Sequence, residues 1–293
     1  MDNTKKKKVG IVSPSKAVKK ENIQKGLEYL SQCGFEPVLG ENVFKSFRYT
    51  AGTPQERAQD LMHFYQDPEI CAIFATAGGD GSQMIAPFLD YECIKKNPKP
   101  LIGFSDTTAI QNAVLAQTGI KQLSGFLLTY DFLDGQIDPL IDTSLQNLLK
   151  AKKWKAQGGT PVVRGKCQGR LIGGCISLFK SLCGTPYMPS LKDAVLLIED
   201  EEEKTYKIEL MLEQLRQQPD FAHVKGIVFG KFKNCEIRRP EDGSVDEVIN
   251  YFAQSLKIPV LSNFPYGHQK SRYVVPLGSD VILDSGLGTL EEA

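Results

Sequence analysis

The sequence predicts an α/β protein of two domains, and three observations carry that expectation. Short apolar runs bounded by glycine or proline alternate with segments of helical period through the first half. The pattern fades between about residues 134 and 164 and then restarts. The length, 293 residues, suits two domains of roughly 100–200 residues each.

Taken in order, residues 9–12, 71–75 and 101–104 read as buried strands, each a short apolar run. Between the first two lie two helices. One spans about 21–33, with Ile23, Leu27 and Leu30 on one face and Gly34 as its stop. The other carries Ala58, Leu61, Met62 and Tyr65 at helical spacing. Its start is marked by Thr53 as N-cap, Pro54 at the first position and Glu56 completing a capping box. A third helix follows Ser105 through Ile110, Ala113 and Val114 to Gly119. Strands separated by helices require crossover connections, hence a parallel sheet covered by helices. The expected division is a first domain over residues 1–135, a linker over 136–164 that includes Gly158-Gly159-Thr160-Pro161, and a second domain over 165–293. In the latter, strands are expected at 194–198, 226–229 and 281–283. One helix carries Ile208, Met211, Leu212 and Leu215, and another is capped by Ser244 with Glu247.

Composition narrows the function. Lys plus Arg and Asp plus Glu are both 35, which argues against nucleic acid as a partner. A hydrophobic fraction of 41% with 24% charged residues excludes a disordered or collagen-like chain. No apolar run approaches the roughly 18 residues of a membrane span, and residues 9–12 are too few for a signal-peptide core. Seven cysteines without a C-x-x-C pair fit neither a disulfide framework nor a zinc site, so a cytoplasmic location is expected. Cys71 and Cys175 read as small core residues.

Three places carry candidate chemistry. Gly78-Gly79-Asp80-Gly81-Ser82 follows a strand, and clustered glycines let backbone amides approach an anion. The loop resembles the phosphate loop of NAD and lipid kinases, fits an oxyanion hole equally well, and is also compatible with a plain turn. Ser105 sits where a strand runs into a helix, the geometry that exposes a nucleophile. Ser105 or Asp106 as a simple helix cap explains the same spacing. Of three histidines, His63 reads as solvated and His223 as a surface or packing residue, while His268 lies in a turn-like segment and is the best candidate base. Glu199, at the end of the 194–198 strand, is the acid best anchored to orient it. Glu201 to Glu203 read as a solvated face.

Together these segments resemble the LD-carboxypeptidase and microcin C self-immunity family of serine peptidases. The resemblance rests on Gly10-Ile11-Val12-Ser13-Pro14-Ser15, the approach 47–53 with Glu56-Arg57-Ala58, Gly78-Gly79-Asp80, Gly103-Phe104-Ser105-Asp106, Gly169-Arg170-Leu171-Ile172-Gly173-Gly174, Leu197-Ile198-Glu199-Asp200 and Gly267-His268. It implies Ser105 as nucleophile in the first domain, with His268 as base and Glu199 as its orienting acid in the second. It also implies an oxyanion hole from the Gly79 and Asp106 amides. Gly78, Asp80, Arg170 and Cys175 become candidate substrate contacts. The implied fold is a flavodoxin-like (amidotransferase-like) parallel-sheet domain followed by a swivelling β/α domain, as a homodimer without metal or organic cofactor. The implied substrate is a small peptide-derived amide, a murein tetrapeptide losing its terminal D-alanine or a microcin-like peptidyl or aminoacyl nucleotide. Asp80 replaces the tyrosine of the cell-wall enzymes' GGYG, Cys175 stands at the usual asparagine, and Leu210 at a frequent arginine. Trp154, the single tryptophan, either stacks on a substrate ring or packs in the core. A kinase using the 78–82 loop with magnesium and ATP, or a non-catalytic binding protein on this scaffold, are the competing functions.

Overall fold

In the computed structural model, which describes residues 6–293, the chain divides after Asp138 into two units. The first is built on β1 (Lys7–Val12), β2 (Phe35–Leu39), β3 (Ile70–Ala75), β4 (Leu101–Gly103) and β5 (Gln122–Ser124). These run in the order β2-β1-β3-β4-β5 with every neighbouring pair parallel. That is the flavodoxin-like order, which reverses between β1 and β3 and gathers ligands at the carboxyl ends of its strands. At those ends lie residues 13–16, 76–81 and 104–107.

The helices are α1 (Lys20–Gln32), α2 (Pro54–Gln66), α3 (Tyr91–Lys96) and α4 (Thr108–Thr118). The α2 capping box forms as the sequence predicts, with the Thr53 hydroxyl accepting from the Glu56 amide. Helix α4 is buried from Thr108 to Leu115 and ends at Gly119 in the left-handed region (φ +75°). The side-chain amide nitrogen of its buried Gln111 donates to the Leu101 and Leu123 carbonyls, which fastens the helix to β4 and β5. The segment after the 78–82 loop is a 3₁₀ helix, Ser82–Phe88, with Pro87 inside it. Cys71 corrects an expectation. It is exposed near the start of β3, while residues 72–75 are buried, 73 and 75 on its own face included.

The second unit holds α5 (Pro139–Leu149), β6 (Lys155–Gln157), β7 (Thr160–Val163), β8 (Lys166–Cys175), α6 (Ile176–Lys180), β9 (Ala194–Glu201) and α7 (Thr205–Arg216). It continues with β10 (Gly226–Lys233), α8 (Val245–Gln254), β11 (Val260–Ser262), β12 (Val275–Leu277), β13 (Asp280–Asp284) and β14 (Thr289–Glu292). Its sheet runs β6-β14-β13-β8-β9-β10-β11-β7. The central four strands are parallel, and the flanking strands antiparallel. Residues 136–164, expected as a linker, instead carry α5 and two edge strands. Thr160 and Pro161 pair with Ser262 and Leu261. Trp154 is 3% exposed and donates from its indole to the Val274 carbonyl at 2.9 Å, which makes it a packing residue of this unit. Among the described residues, no helix is long and apolar enough to cross a membrane.

Candidate active site

In the first unit, Ser105 lies one residue beyond β4 and opens a 3₁₀ turn, Ser105–Thr107, that leads into α4. Its φ is +62°, a left-handed conformation that a non-glycine residue enters at a cost of order 1–3 kcal/mol. Strain of this kind at a strand-to-helix turn is how a nucleophile is held out at a sheet's carboxyl edge. The capping alternative does not describe what is seen. Thr107 occupies the α4 N-cap, and no side chain bonds there.

The diglycine loop lies against the serine. A Cβ built on Gly78 would sit 2.8 Å from Ser105 Cβ and 3.1 Å from its Oγ, so only glycine fits. Gly79 and Asp80 are exposed, and the Lys16 stem covers one face of Gly79.

The Asp106 side chain, which sequence reasoning passed over in favour of its amide, is fully buried and grips this loop. Its Oδ1 accepts from the Gly81 amide at 3.1 Å and its Oδ2 from the Ser82 amide at 2.8 Å. The Ser82 hydroxyl donates to the Asp106 carbonyl. Burial pushes the Asp106 carboxyl up to about 6, against the opposing pull of Ser15 and Ser82. Arg57, on α2, is 2% exposed and donates from Nη1 to the Pro14 and Gly81 carbonyls.

In the second unit, β9 delivers two carboxylates to one face. Strand alternation places Glu199 and Glu201 together and sends Asp200 to the other side. Glu199 is 0% exposed, and its Oε2 lies 2.7 Å from His268 Nδ1. An ionised carboxylate only accepts, so in this pair Nδ1 is the donor. Burial alone would lower the His268 pKa. The Glu199 charge and hydrogen bond, with a further contribution from Glu201, outweigh it and raise the pKa above 6.5. Glu201, expected to be merely solvated, stands 3.7 Å from Nε2 and also pairs with Lys233 at 2.6 Å.

His268 reaches Glu199 because the loop after β11 lies on β10, with the Phe264 amide donating to Phe229 and the Lys231 amide to Tyr266. Gly267 makes the approach possible. Its φ is +124°, and a Cβ there would lie 2.6 Å from the Lys231 carbonyl and 3.1 Å from Glu199 Oε2.

Of two candidate substrate contacts in this unit, Arg170 stands apart from the Glu–His pair and Cys175 beside it. Arg170 pairs in register with Ala194, whereas Cys175 pairs with Glu199. Five residues at about 3.3 Å each therefore separate Arg170 from the Glu199 end of the sheet by roughly 16 Å. Cys175 is 3% exposed, with its thiol donating to Asp200 at 3.4 Å. Burial, then the charges of Asp200 and Glu199, keep that thiol protonated. Asp200 also accepts from the Ser177 amide, and burial followed by Glu199 raises it to about 6. Among the described residues, no three His, Cys, Asp or Glu side chains converge as a metal site.

A strained serine at the edge of a flavodoxin-like sheet and a buried Glu–His pair on a second sheet are side chains of the types that serine hydrolases use. Comparison with known proteins gives the class. The LD-carboxypeptidase N-terminal domain matches residues 9–125 and the LD-carboxypeptidase C-terminal domain residues 168–283, so the chain belongs to that family and is a serine-type carboxypeptidase hydrolase. It is 30% identical over 282 residues to a probable murein peptide carboxypeptidase of Bacillus subtilis, covering 94% of this chain and 88% of that one. It is likewise 30% identical over 309 residues to the microcin C7 self-immunity protein MccF of Escherichia coli, covering 93% and 88%. A structure of MccF in complex with glutamyl sulfamoyl guanosine superposes with a TM-score of 0.88 at 26% identity, over 99% of this chain and 96% of that one. The kinase reading of the 78–82 loop falls with the family assignment.

Proposed function

We propose that the protein hydrolyses an amide bond in a small peptide-derived substrate through Ser105, His268 and Glu199. The observation that carries this is the buried His268–Glu199 pair at 2.7 Å, which leaves Nε2 as the base. His268 takes the Ser105 proton as the hydroxyl attacks the carbonyl, then returns it to the leaving amine. Glu199 holds the tautomer and offsets the imidazolium charge. The Gly79 and Asp106 amides stabilise the tetrahedral oxyanion, about 2.7–4 kcal/mol for each donor. Water then releases the acyl group.

The first substrate class is a murein tetrapeptide that loses its terminal D-alanine, in line with the murein peptide carboxypeptidase relative. A peptidyl or aminoacyl nucleotide is the second, favoured by the likeness to MccF bound to a glutamyl sulfamoyl nucleoside and by Asp80 in the diglycine loop. Incubating the purified protein with a muropeptide panel and an aminoacyl-nucleotide panel, and reading products by mass spectrometry, decides between them. Cleavage of neither panel overturns the proposal. The same reading carries a homodimer in the cytoplasm, to be checked by light scattering and cell fractionation.

A further inference from the structure

We propose that Asp106 and Arg57 are positioning residues that clamp the 78–82 loop to the backbone of Ser105, so that nucleophile and oxyanion donors move as one piece. This rests on the acyl-transfer reading above, in which that loop lines the reaction site.

The carboxylate takes two consecutive amides, those of Gly81 and Ser82. The residue that makes this grip is joined by one peptide bond to Ser105. The bond is returned, because Ser82 donates from its hydroxyl to the Asp106 carbonyl. From the other side, Arg57 joins the loop to the segment after β1 by donating to both the Gly81 and Pro14 carbonyls. The loop is thus held at an amide and a carbonyl of the same residue, Gly81.

The arrangement is chemically expensive. Arg57 Nε and Nη2 are buried and bond to nothing described, and Asp106 is fully buried, held by the Gly81 and Ser82 amides within reach of the Arg57 charge. A core built for stability alone does better with apolar residues at such positions. Fixed orientation is what a charged network supplies and an apolar one does not, because hydrogen bonds set direction as well as distance.

The test is amide hydrogen exchange read by NMR together with steady-state kinetics, on the whole protein and on D106N and R57K. The D106N side chain would present a donor to one of the two amides, and R57K keeps the charge while losing the fork. Loss of a charge-assisted bond predicts exchange at Gly81 and Ser82 about 10–100-fold faster, with the amides of β3 unchanged. It also predicts a fall in kcat of similar size at nearly constant KM. Unchanged exchange at Gly81 and Ser82 overturns the clamp, as does faster exchange at all amides alike, which marks a merely structural role. Loosened amides with kcat within twofold of wild type also overturn it. If D106N does not fold, R57K gives the same discrimination. Selective loosening in a protein whose wild type cleaves neither substrate panel leaves the clamp standing and removes the acyl-transfer reading instead.

Discussion

Replacing Gly78 by alanine probes the proposed site with one methyl group. The added carbon would lie 2.8 Å from Ser105 Cβ, 3.1 Å from Oγ and 3.5 Å from the Phe104 carbonyl. Ordinary contact begins near 3.4 Å, so the serine or the loop must yield by about 0.6 Å. Overpacking of this kind costs about 1–3 kcal/mol. A misplacement near 1 Å in a reacting pair costs up to about 100-fold in rate. The expected result for G78A is a fall in kcat/KM of about 10–100-fold on the best substrate, with a lower melting temperature. Gly34 supplies the control. Its φ is +89° with nothing within 4 Å of an added Cβ, so G34A strains the backbone away from the candidate site. It loses stability and keeps full kcat/KM. G78A with wild-type kcat/KM would refute the placement of the diglycine against the nucleophile.

Glu199→Gln keeps the shape of the buried pair and removes the charge that fixes the tautomer, so kcat should fall about 10,000-fold with little change in fold. A loss under tenfold in steady-state kinetics contradicts its role. Because His268 is raised above 6.5, the acid limb of kcat/KM lies above the ordinary histidine range, and activity is lost as pH falls through it. The stability from the protonated pair runs the opposite way: it is fully present below about 6.5 and lost as pH rises through the folded value. An acid limb at or below 6.5 rejects the coupling to Glu199. Asp200, raised to about 6 by burial and Glu199, costs stability as pH rises from 3.8, by about 3 kcal/mol or less at neutrality. Thermal melts from pH 5 to 8 should therefore show D200N losing less stability with rising pH than wild type. Parallel curves rule that out.

Much of the scaffold was legible because it rests on local signals. The Thr53–Glu56 capping box, the Ser244–Glu247 box and the stop at Gly119 are written in a few adjacent residues and form as written. What escaped was set by tertiary contacts. Strand β2 is half exposed and contains Pro37, so it lacks an apolar run, and β5 and β11 are three residues long. Residues 136–164 read as a linker because their strands are short edges with little burial. Helix α4 is buried nearly all round, polar residues included, so periodicity marks its presence and not its partners. Ser105, Glu199 and His268 stand out through strand ends, a turn and family resemblance. The Asp106 carboxylate and Arg57 do not, because a buried polar side chain reads as a surface one until its partners are seen. Glu201 had one available signal, its i+2 spacing from Glu199 on a strand.

The most direct measurement is intact-protein mass spectrometry during the first turnover, wild type against Ser105→Ala. Wild type should carry a transient acyl mass on the peptide containing Ser105, substrate minus its leaving amine. S105A should carry none and turn over nothing while melting like wild type. Turnover by S105A, or an acyl group on another residue, contradicts Ser105 as the nucleophile.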